Sequence, residues 1–276
     1  MTDPADAFAE LMGRDDDEIE LDRAALLFAS AEYPDLDVEA SLRSLDRFAN
    51  LLRPRLAGVR PPAAVAGIFA DFLHGELGFR GNPDAYYDPR NSYVNEVILR
   101  RLGIPITLAA MYLVLGRRLG LPFEGVGMPG HFLVRYSDPQ HPLLVDPFAD
   151  GAILSDADCE NRLRGLFGPR AHLSPAMLEP VSVRAILFRM LTNLKAIYLQ
   201  EQDWPRAVRT IDQLLLVRPG ASSEYRDRGN AHLRTGDFRR SRADFEHYLL
   251  YALDINDEPS VREQLALIER LESMRN

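Results

Sequence analysis

The hydrophobic residues of this chain follow a helical period through most of its length, but between Glu124 and Asp146 they change to a period of two. Side chains alternate in character from Phe132 to Tyr136, and a second short apolar run covers residues 143–145. Residues 137–140, with the sequence Ser-Asp-Pro-Gln, are typical of a turn between two strands. The pattern therefore predicts a small antiparallel sheet within an otherwise helical chain, which is an α+β fold.

Caps and prolines place several helix boundaries. Asp37 suits an N-cap, and the pair Pro61-Pro62 suits the start of the following helix, which predicts a helical N-terminal lobe. A further apolar helix begins near Tyr93 and is expected to end at Gly103, because glycine commonly terminates helices.

Charge and cysteine content exclude several functions. The net charge is −9, and residues 1–20 carry eight acids against Arg14 alone, so this segment is expected to be a solvated leader that is either disordered, as its composition favours, or folded back on the body. No broad basic surface for nucleic acid is indicated.

No run approaches the roughly 18 apolar residues that span a membrane, and the N-terminus is acidic where a signal peptide is basic, so we expect a cytoplasmic protein. Cys159 is the single cysteine, which excludes an intramolecular disulfide or a zinc site built from cysteines.

Two segments of the last third superimpose at an offset of 34 residues, with Asp203-Trp204 lying on Asp237-Phe238. A period of about 34 residues is the spacing of tetratricopeptide repeats, in which each unit is a pair of helices. Two units are fewer than the roughly three that usually form a stable array. A capping helix from Pro259 to Met274 is therefore expected to complete this core.

His131 and Asp146 are the clearest candidates for chemistry. They lie on the two predicted strands, and a hairpin-like return brings such positions within hydrogen-bond distance. A carboxylate in that place fixes the tautomer and orientation of the imidazole, as the base and its orienting partner do in a catalytic triad. The other histidines show no metal-binding spacing, and neither a metal site nor a cofactor is indicated.

Together with the stretch Asn91–Glu96 and the sequence Gly-Ile-Pro-Ile-Thr of residues 103–107, these motifs resemble the transglutaminase-like superfamily. The resemblance is to its bacterial SirB-type branch, which has tetratricopeptide-like repeats at the C-terminus, and it extends from about Leu21 to the end. It implies a papain/transglutaminase-like core with a small antiparallel sheet.

In that superfamily a cysteine at the N-terminus of a core helix is the nucleophile, a histidine on a following strand is the base, and an aspartate on the next strand orients it. His131 and Asp146 match the histidine and the aspartate. The core helix ends at the Leu-Gly-Leu-Pro sequence of residues 119–122, which places Pro105 where the resemblance implies the cysteine. Proline carries no nucleophilic atom, although it suits the first position of a helix.

Two other side chains are weighed as nucleophiles. Thr107 lies in the first turn of the same helix, where His131 could activate an alcohol, but it is displaced from Pro105 by two residues. Its alternative role is a hydroxyl bonded to the backbone at the helix start. Cys159 lies among acids, which raise the pKa of a thiol, so it is interpreted as a structural or surface residue.

Asn91, Asn95, Glu96 and Thr107 are predicted to line the same cleft as binding residues. An equally weighted interpretation is structural, because Asn91 also suits an N-cap and the Glu96 carboxylate complements a helix start.

We therefore expect residues 1–20 to form the acidic leader, 21–178 the transglutaminase-like domain and 179–276 the repeats. The expected function is a non-catalytic regulatory or interaction scaffold that binds a protein or peptide partner in the cleft or on the repeat helices. The alternative is an acyl-transfer or amide-hydrolysing enzyme of protease type, which uses His131 and Asp146 with Thr107 or another nucleophile. A third interpretation is a purely structural body with a filled cleft.

Overall fold

The computed structural model describes residues 4–252 and 257–273, and its first part is the predicted helical lobe. Four helices are α1 (Pro4–Met12), α2 (Leu21–Ala29), α3 (Val38–Leu56) and α4 (Pro62–Ala70), and α4 continues as π-helical turns to Glu76. Asp37 caps α3 as predicted, since its carboxylate accepts a hydrogen bond of 2.8 Å from the Ala40 N–H.

The acidic leader differs from the disordered segment that its composition predicts. Its helix α1 buries Phe8, Leu11 and Met12. Asp16 then accepts hydrogen bonds from the N–H groups of Val183 and Arg184, at 3.2 and 3.0 Å. The prediction of disorder is wrong for residues 4–20. A few well-spaced apolar side chains and one capping carboxylate stabilise this segment against its net charge. Residues 1–3 lie outside the described part.

The core helix follows a short parallel strand pair. Helix α5 (Val94–Arg100) ends at Arg101, which takes the left-handed conformation with φ 63°, and not at Gly103. Residues 102–103 instead form strand β2, which pairs with β1 (Arg80–Gly81). Helix α6 (Pro105–Leu119) has the predicted boundaries, with proline in its first position and Gly120 at φ 68° closing it.

The predicted antiparallel sheet is present, with two strands more than the two predicted. Its order is β3 (Phe123–Val126), β4 (Leu133–Tyr136), β5 (Leu143–Asp146) and β6 (Ala152–Leu154), and every neighbouring pair is antiparallel. Helix α7 (Asp156–Phe167) follows, and its Cys159 and Leu163 form a buried cluster with Leu133 and Leu144 of the sheet.

Five helices complete the described chain: α8 (Val183–Gln200), α9 (Trp204–Val217), α10 (Ser222–Thr235), α11 (Phe238–Tyr251) and α12 (Glu258–Ser273). The chain divides into two compact units between Met190 and Leu191, within α8. In the second unit α12 contributes Val261 and Ile268 to a core with Phe245 and Tyr248. This is the predicted capping helix, although Met274, its predicted last residue, lies outside the described part.

The 34-residue repeat is visible in matching caps. Asp203 accepts a hydrogen bond of 3.1 Å from the Arg206 N–H at the start of α9, and Asp237 accepts one of 3.1 Å from the Arg240 N–H at the start of α11. Equivalent residues of the two units therefore begin equivalent helices, as the offset predicts.

Candidate functional site

His131 lies in the loop immediately before β4, rather than on the strand itself. The loop is fixed from two elements. Arg189 of α8 donates hydrogen bonds to the carbonyl oxygens of Met128, at 3.1 Å, and His131, at 2.8 Å. Gly130 has φ +71°, a conformation that strains other residues, and a Cβ there would lie 2.7 Å from the Leu166 Cδ1 atom of α7, so a side chain at this position would push the Leu166 side chain aside.

Asp146 is the last residue of β5 and caps the short 3-10 turn Pro147–Ala149. Its Oδ1 atom accepts hydrogen bonds from the N–H groups of Phe148, at 2.9 Å, and Ala149, at 3.3 Å. The same oxygen lies 2.9 Å from His131 Nε2, and the Asp146 side chain is fully buried. The structure thus brings together the two residues that the strand pattern pairs.

Arg162 of α7 is a third member of this cluster. Its Nη1 atom lies 2.6 Å from Asp146 Oδ2 and 2.7 Å from His131 Nε2. A guanidinium only donates hydrogen bonds, so Nε2 either donates to Asp146 or accepts from Arg162, and cannot do both at once. When Nε2 accepts from Arg162, the ring proton is on Nδ1, and that nitrogen cannot act as a base.

The surroundings keep the Asp146 carboxylate ionised. Burial alone would raise its pKa, but the hydrogen bond and charge of His131, the Arg162 guanidinium and the Phe148 N–H together lower it. Asp146 is thus a buried anion whose Oδ1 atom accepts hydrogen bonds, whereas its Oδ2 atom lies 2.6 Å from the Arg162 guanidinium but has no hydrogen-bond partner among the described residues.

The start of α6 holds a proline and a hydroxyl that is bonded to the backbone. Pro105 is buried in the first helical position. The Thr107 hydroxyl accepts a hydrogen bond of 3.0 Å from the Ile104 N–H and donates one of 2.7 Å to the Asn91 carbonyl oxygen. A Cβ at Gly103 would lie 2.8 Å from this hydroxyl, so the glycine permits the close approach. Thr107 is fully buried and its hydroxyl serves the backbone, which is the alternative role given to it above.

Of the other three predicted binding residues, Asn91 lies just before α5, and Asn95 and Glu96 lie within it. Asn91 is fully buried, donates to the Ala85 carbonyl oxygen at 2.7 Å and accepts from the Asn82 amide at 3.2 Å. It does not cap α5, because Tyr93 occupies that position, so the N-cap interpretation of Asn91 is wrong. Asn95 Oδ1 is buried without a hydrogen-bond partner among the described residues, and Glu96 stands in the first turn of α5. Within residues 4–252 and 257–273, no hydrogen bond links any of the three to His131 or Asp146.

Cys159 is fully buried in the cluster beneath α7, and its thiol is free. Burial and the charge of Asp156 raise the pKa of this thiol. These surroundings fit a structural residue and not a nucleophile.

Sequence reasoning did not identify Arg162. The signal in the sequence is weak, because Arg162 follows Cys159 by three positions and therefore shares the buried face of α7. Only the packing of that face against the sheet shows which carboxylate the arginine reaches.

No helix in the described part of the chain is long and apolar enough to cross a membrane. The described residues also contain no group of three histidine, cysteine or acidic side chains placed to hold a metal ion.

The chain has a core helix, an antiparallel sheet that places a histidine within hydrogen-bond distance of an aspartate, and a following unit of helical repeats. These features define a transglutaminase-like protein with tetratricopeptide repeats. Residues 39–192 match the family described as "Transglutaminase-like superfamily", and residues 194–274 match the family described as "Tetratricopeptide repeat". The chain belongs to the transglutaminase-like superfamily, and the predicted SirB-type arrangement is confirmed.

Two bacterial relatives match this chain over most of their length. A UPF0162 protein of Xylella fastidiosa (strain 9a5c) is 39% identical over 239 residues, which is 85% of each chain. A UPF0162 protein of Vibrio cholerae is 31% identical over 240 residues, or 87% of this chain and 88% of the relative. F-box only protein 21 of Homo sapiens is 35% identical over 158 residues, which is 53% of this chain and 24% of that protein. No solved structure matches the chain.

Proposed function

We propose that this protein is a non-catalytic member of the transglutaminase-like superfamily that acts in the bacterial cytoplasm as a regulatory or protein-interaction scaffold. One observation carries the proposal: the first turn of α6 presents the buried ring of Pro105 where the family resemblance implies a nucleophile. The hydroxyl in the same turn, on Thr107, is already bonded to the backbone at both its donor and its acceptor positions.

The state of His131 supports the same conclusion. A general base must lie within hydrogen-bond distance of the group it deprotonates. The hydrogen-bond partners of the His131 ring among the described residues are Asp146 and Arg162, and neither is a nucleophile. The cluster thus resembles a base with its orienting partner but has no atom to activate.

The second unit supplies the interaction part of the proposal. Tetratricopeptide repeats generally bind other proteins, and stacked helix pairs create extended surfaces for that purpose. We therefore assign the repeats and the His131 region to the binding of a partner protein, and the role of the protein to regulation rather than to turnover of a substrate.

An activity assay with matched variants tests the absence of catalysis. Glutamine amides and activated esters are incubated with the wild type and with His131→Ala. We expect equal, background rates, because no nucleophile depends on the histidine. Turnover by the wild type that both His131→Ala and Thr107→Val abolish would contradict the proposal and support the acyl-transfer alternative.

A second variant pair tests whether the rest of the site is intact. In a Cys159→Ser background, the thiol introduced by Pro105→Cys is the only one in the chain. We expect the pKa of this thiol to lie below that of free cysteine, because a helix N-terminus stabilises a thiolate, and the ultraviolet absorbance of the thiolate as a function of pH measures it. A pKa at or above that of free cysteine would show that proline is not the sole obstacle to catalysis.

A further inference from the structure

The antiparallel sheet has one closed edge and one open edge. At the closed edge the Val181 N–H donates to the Gly125 carbonyl oxygen of β3 at 2.9 Å. The other edge is β6, and among the described residues no backbone hydrogen bond joins residues 152–154 to an element other than β5. Ile153 in this strand is 50% exposed. An unpaired edge strand offers its N–H and C=O groups to the strand of another chain.

A groove of about 710 Å³ lies beside this edge, and its volume is within the roughly 300–1,000 Å³ that is typical of ligand sites. Its walls come from β5, β6, the start of α7 and the segment before α8. Most of the lining side chains are apolar, and they include Leu143, Leu144, Ile153, Leu154, Leu173 and Leu178. An apolar groove next to a free strand edge holds the side chains of an added strand.

The groove is negatively charged. Its charged lining side chains are Arg135, Asp156, Glu160 and Glu179. Glu160 is paired with Arg164 and with His172, the latter at 3.5 Å. Asp156 and Glu179 are exposed, and neither side chain forms an ion pair or a hydrogen bond among the described residues. Two unpaired carboxylates against the one guanidinium of Arg135 leave the groove negative, like the chain as a whole.

Arg135 indicates what else the occupant must supply. This residue of β4 is half-buried, and its guanidinium has no hydrogen bond or ion pair among the described residues. A guanidinium only donates hydrogen bonds, so it needs acceptors. Arg189 meets the same need with the carbonyl oxygens of Met128 and His131. The backbone carbonyl oxygens of an extended peptide would serve Arg135 in the same way.

From these observations we infer that the β6 groove, formed by β6, Arg135, Asp156 and Glu179 with the apolar side chains above, binds an extended basic and apolar segment of a partner protein. The backbone of this segment pairs with β6, and its large apolar side chains enter the groove. Its lysine or arginine side chains meet Asp156 and Glu179. The inference rests on the proposed function, because it gives the interaction scaffold a partner site, which lies at the end of β5 away from Asp146.

Two other occupants fit the charge of the groove less well. Pairing of β6 with the β6 strand of a second copy would bring two negative grooves together, and such contact between like charges is unfavourable. An anionic membrane surface attracts basic segments and repels a negative groove. A basic peptide has both the backbone groups and the sign of charge that the groove requires.

Fluorescence anisotropy with the full chain tests the inference. The probe is a fluorescein-labelled peptide of lysine, valine and leucine. Three control peptides have glutamate for lysine, serine for the apolar residues, or N-methyl groups on alternate backbone nitrogens, which remove donors of an added strand. We expect the probe to bind at least about tenfold more tightly than each control, and its affinity to fall with salt.

Protein variants locate the binding. Ile153→Lys and Glu179→Lys should each weaken binding of the probe by about tenfold, because one places a charge on the strand edge and the other reverses a charge in the groove. The matched controls are Leu99→Lys on α5 and Asp35→Lys between α2 and α3, since both residues are exposed and neither lines the groove. These controls should stay within about twofold of the wild type at physiological salt, because screening limits the effect of distant charges. Thermal unfolding close to that of the wild type shows that the four variants are folded.

Three outcomes overturn the inference. They are equal binding of the glutamate peptide, equal binding of the N-methylated peptide, and a wild-type affinity of Glu179→Lys for the probe. Sedimentation that shows a dimer of the wild type, lost in Ile153→Lys, would also overturn it and assign the edge to a second copy.

Mass spectrometry of the incubated probe separates this inference from the proposed function. A bound, unmodified probe supports both. A probe that is cleaved or coupled only when His131 is present contradicts the proposed function, whereas an unbound, unmodified probe contradicts the inference alone.

Discussion

At the scale of single residues, the most connected side chain of the site is the buried Asp146 carboxylate. It contacts His131 and Arg162, and it caps the turn that follows β5. Removing one member of a buried ion pair leaves the other charge without compensation, which typically costs about 3–5 kcal/mol. We therefore expect Asp146→Ala to lower the free energy of unfolding by about that amount, as measured by urea denaturation at pH 7.

Asp146 also predicts an acid dependence of stability. Because its pKa is lowered in the folded protein, its contribution is fully present above the unfolded value of about 3.9 and is lost as pH falls through the folded pKa. Asp146→Asn keeps the shape but cannot titrate. The difference in stability between the wild type and this variant should shrink from pH 7 to about pH 3. A difference that stays constant over this range would show that the carboxylate is not the titrating group.

The buried thiol gives a prediction with a simple readout. Cys159 is inaccessible and its pKa is raised by burial and Asp156, so little of it is exposed or ionised. We expect no reaction with a chromogenic disulfide reagent under native conditions and one reacting thiol per chain in urea. The Cys159→Ser variant provides the blank. Rapid reaction of the native protein would contradict the structural role.

The two halves of the site differ in how far the sequence could predict them. His131 and Asp146 could be paired because alternation and a turn predict two adjacent antiparallel strands, which are β4 and β5, although His131 lies just before β4. Arg162 could not be predicted, since its position depends on how α7 lies over the sheet. Thr107 and Asn91 were predicted as cleft residues, whereas both are fully buried and bond to backbone groups. Polar side chains in turn sequences serve local backbone groups as readily as ligands, and sequence does not separate the two uses.

At the scale of elements, the 34-residue offset predicts that the two helix-capping aspartates contribute equally to the free energy of unfolding. Asp203 and Asp237 make hydrogen bonds of the same length, 3.1 Å, to the N–H groups at the starts of α9 and α11. Asp203→Ala and Asp237→Ala should each lower the free energy of unfolding by about 1 kcal/mol. Asparagine at either position should restore most of the loss, because it also caps. A loss at only one cap would show that the two units are not energetically equivalent.

Two helical glycines form a matched pair for packing. A Cβ at Gly229 in α10 would lie 2.8 Å from the Phe245 ring of α11, whereas a Cβ at Gly165 in α7 meets open space. Gly229→Ala should lower the free energy of unfolding by about 1–3 kcal/mol through overpacking. Gly165→Ala should raise it by about 0.5–1 kcal/mol, because alanine favours helix without a clash. Thermal unfolding of both variants measures whether each substitution lowers or raises stability. No change of stability in Gly229→Ala would contradict the close contact between α10 and α11.

Element boundaries followed the sequence where a cap or a proline decided them locally. Asp37, Pro62 and Pro105 stand at the predicted helix starts. Gly103 did not end α5, because it lies in β2, where it pairs with Gly81 of β1, and its missing Cβ leaves room for the Thr107 hydroxyl. The leader was mispredicted for a similar reason, since composition records its charge but not the tertiary partners of Phe8 and Asp16.

At the scale of the whole molecule, the first two turns of α8 belong to the transglutaminase-like unit. Val183 and Arg184 meet the leader at Asp16, and Arg189 fixes the loop of His131. The preceding segment extends the sheet, because the Val181 N–H donates to the Gly125 carbonyl oxygen at 2.9 Å. Sequence composition placed the domain boundary at 178–179, where the pattern becomes continuously helical, and it gave no sign of these contacts.

Truncation distinguishes the two positions for the end of this unit. A chain ending at Gln200 keeps all of α8, and we expect it to unfold cooperatively on heating. A chain ending at residue 178 loses the hydrogen bonds of Arg189 to the loop of His131 and the backbone hydrogen bond of Val181 to the sheet edge. It also loses the N–H groups of α8 that donate to the Asp16 carboxylate. Each lost hydrogen bond leaves a polar group without its partner at a cost of about 1–3 kcal/mol where that group stays buried, so the shorter chain should unfold at a clearly lower temperature. Arg189→Met in the full chain is the control, because it removes only the bonds to the site loop and should reproduce part of the loss. If the two truncated chains were equally stable, the start of α8 would contribute nothing to the first unit, and the loop of His131 would have to be held by α7 alone.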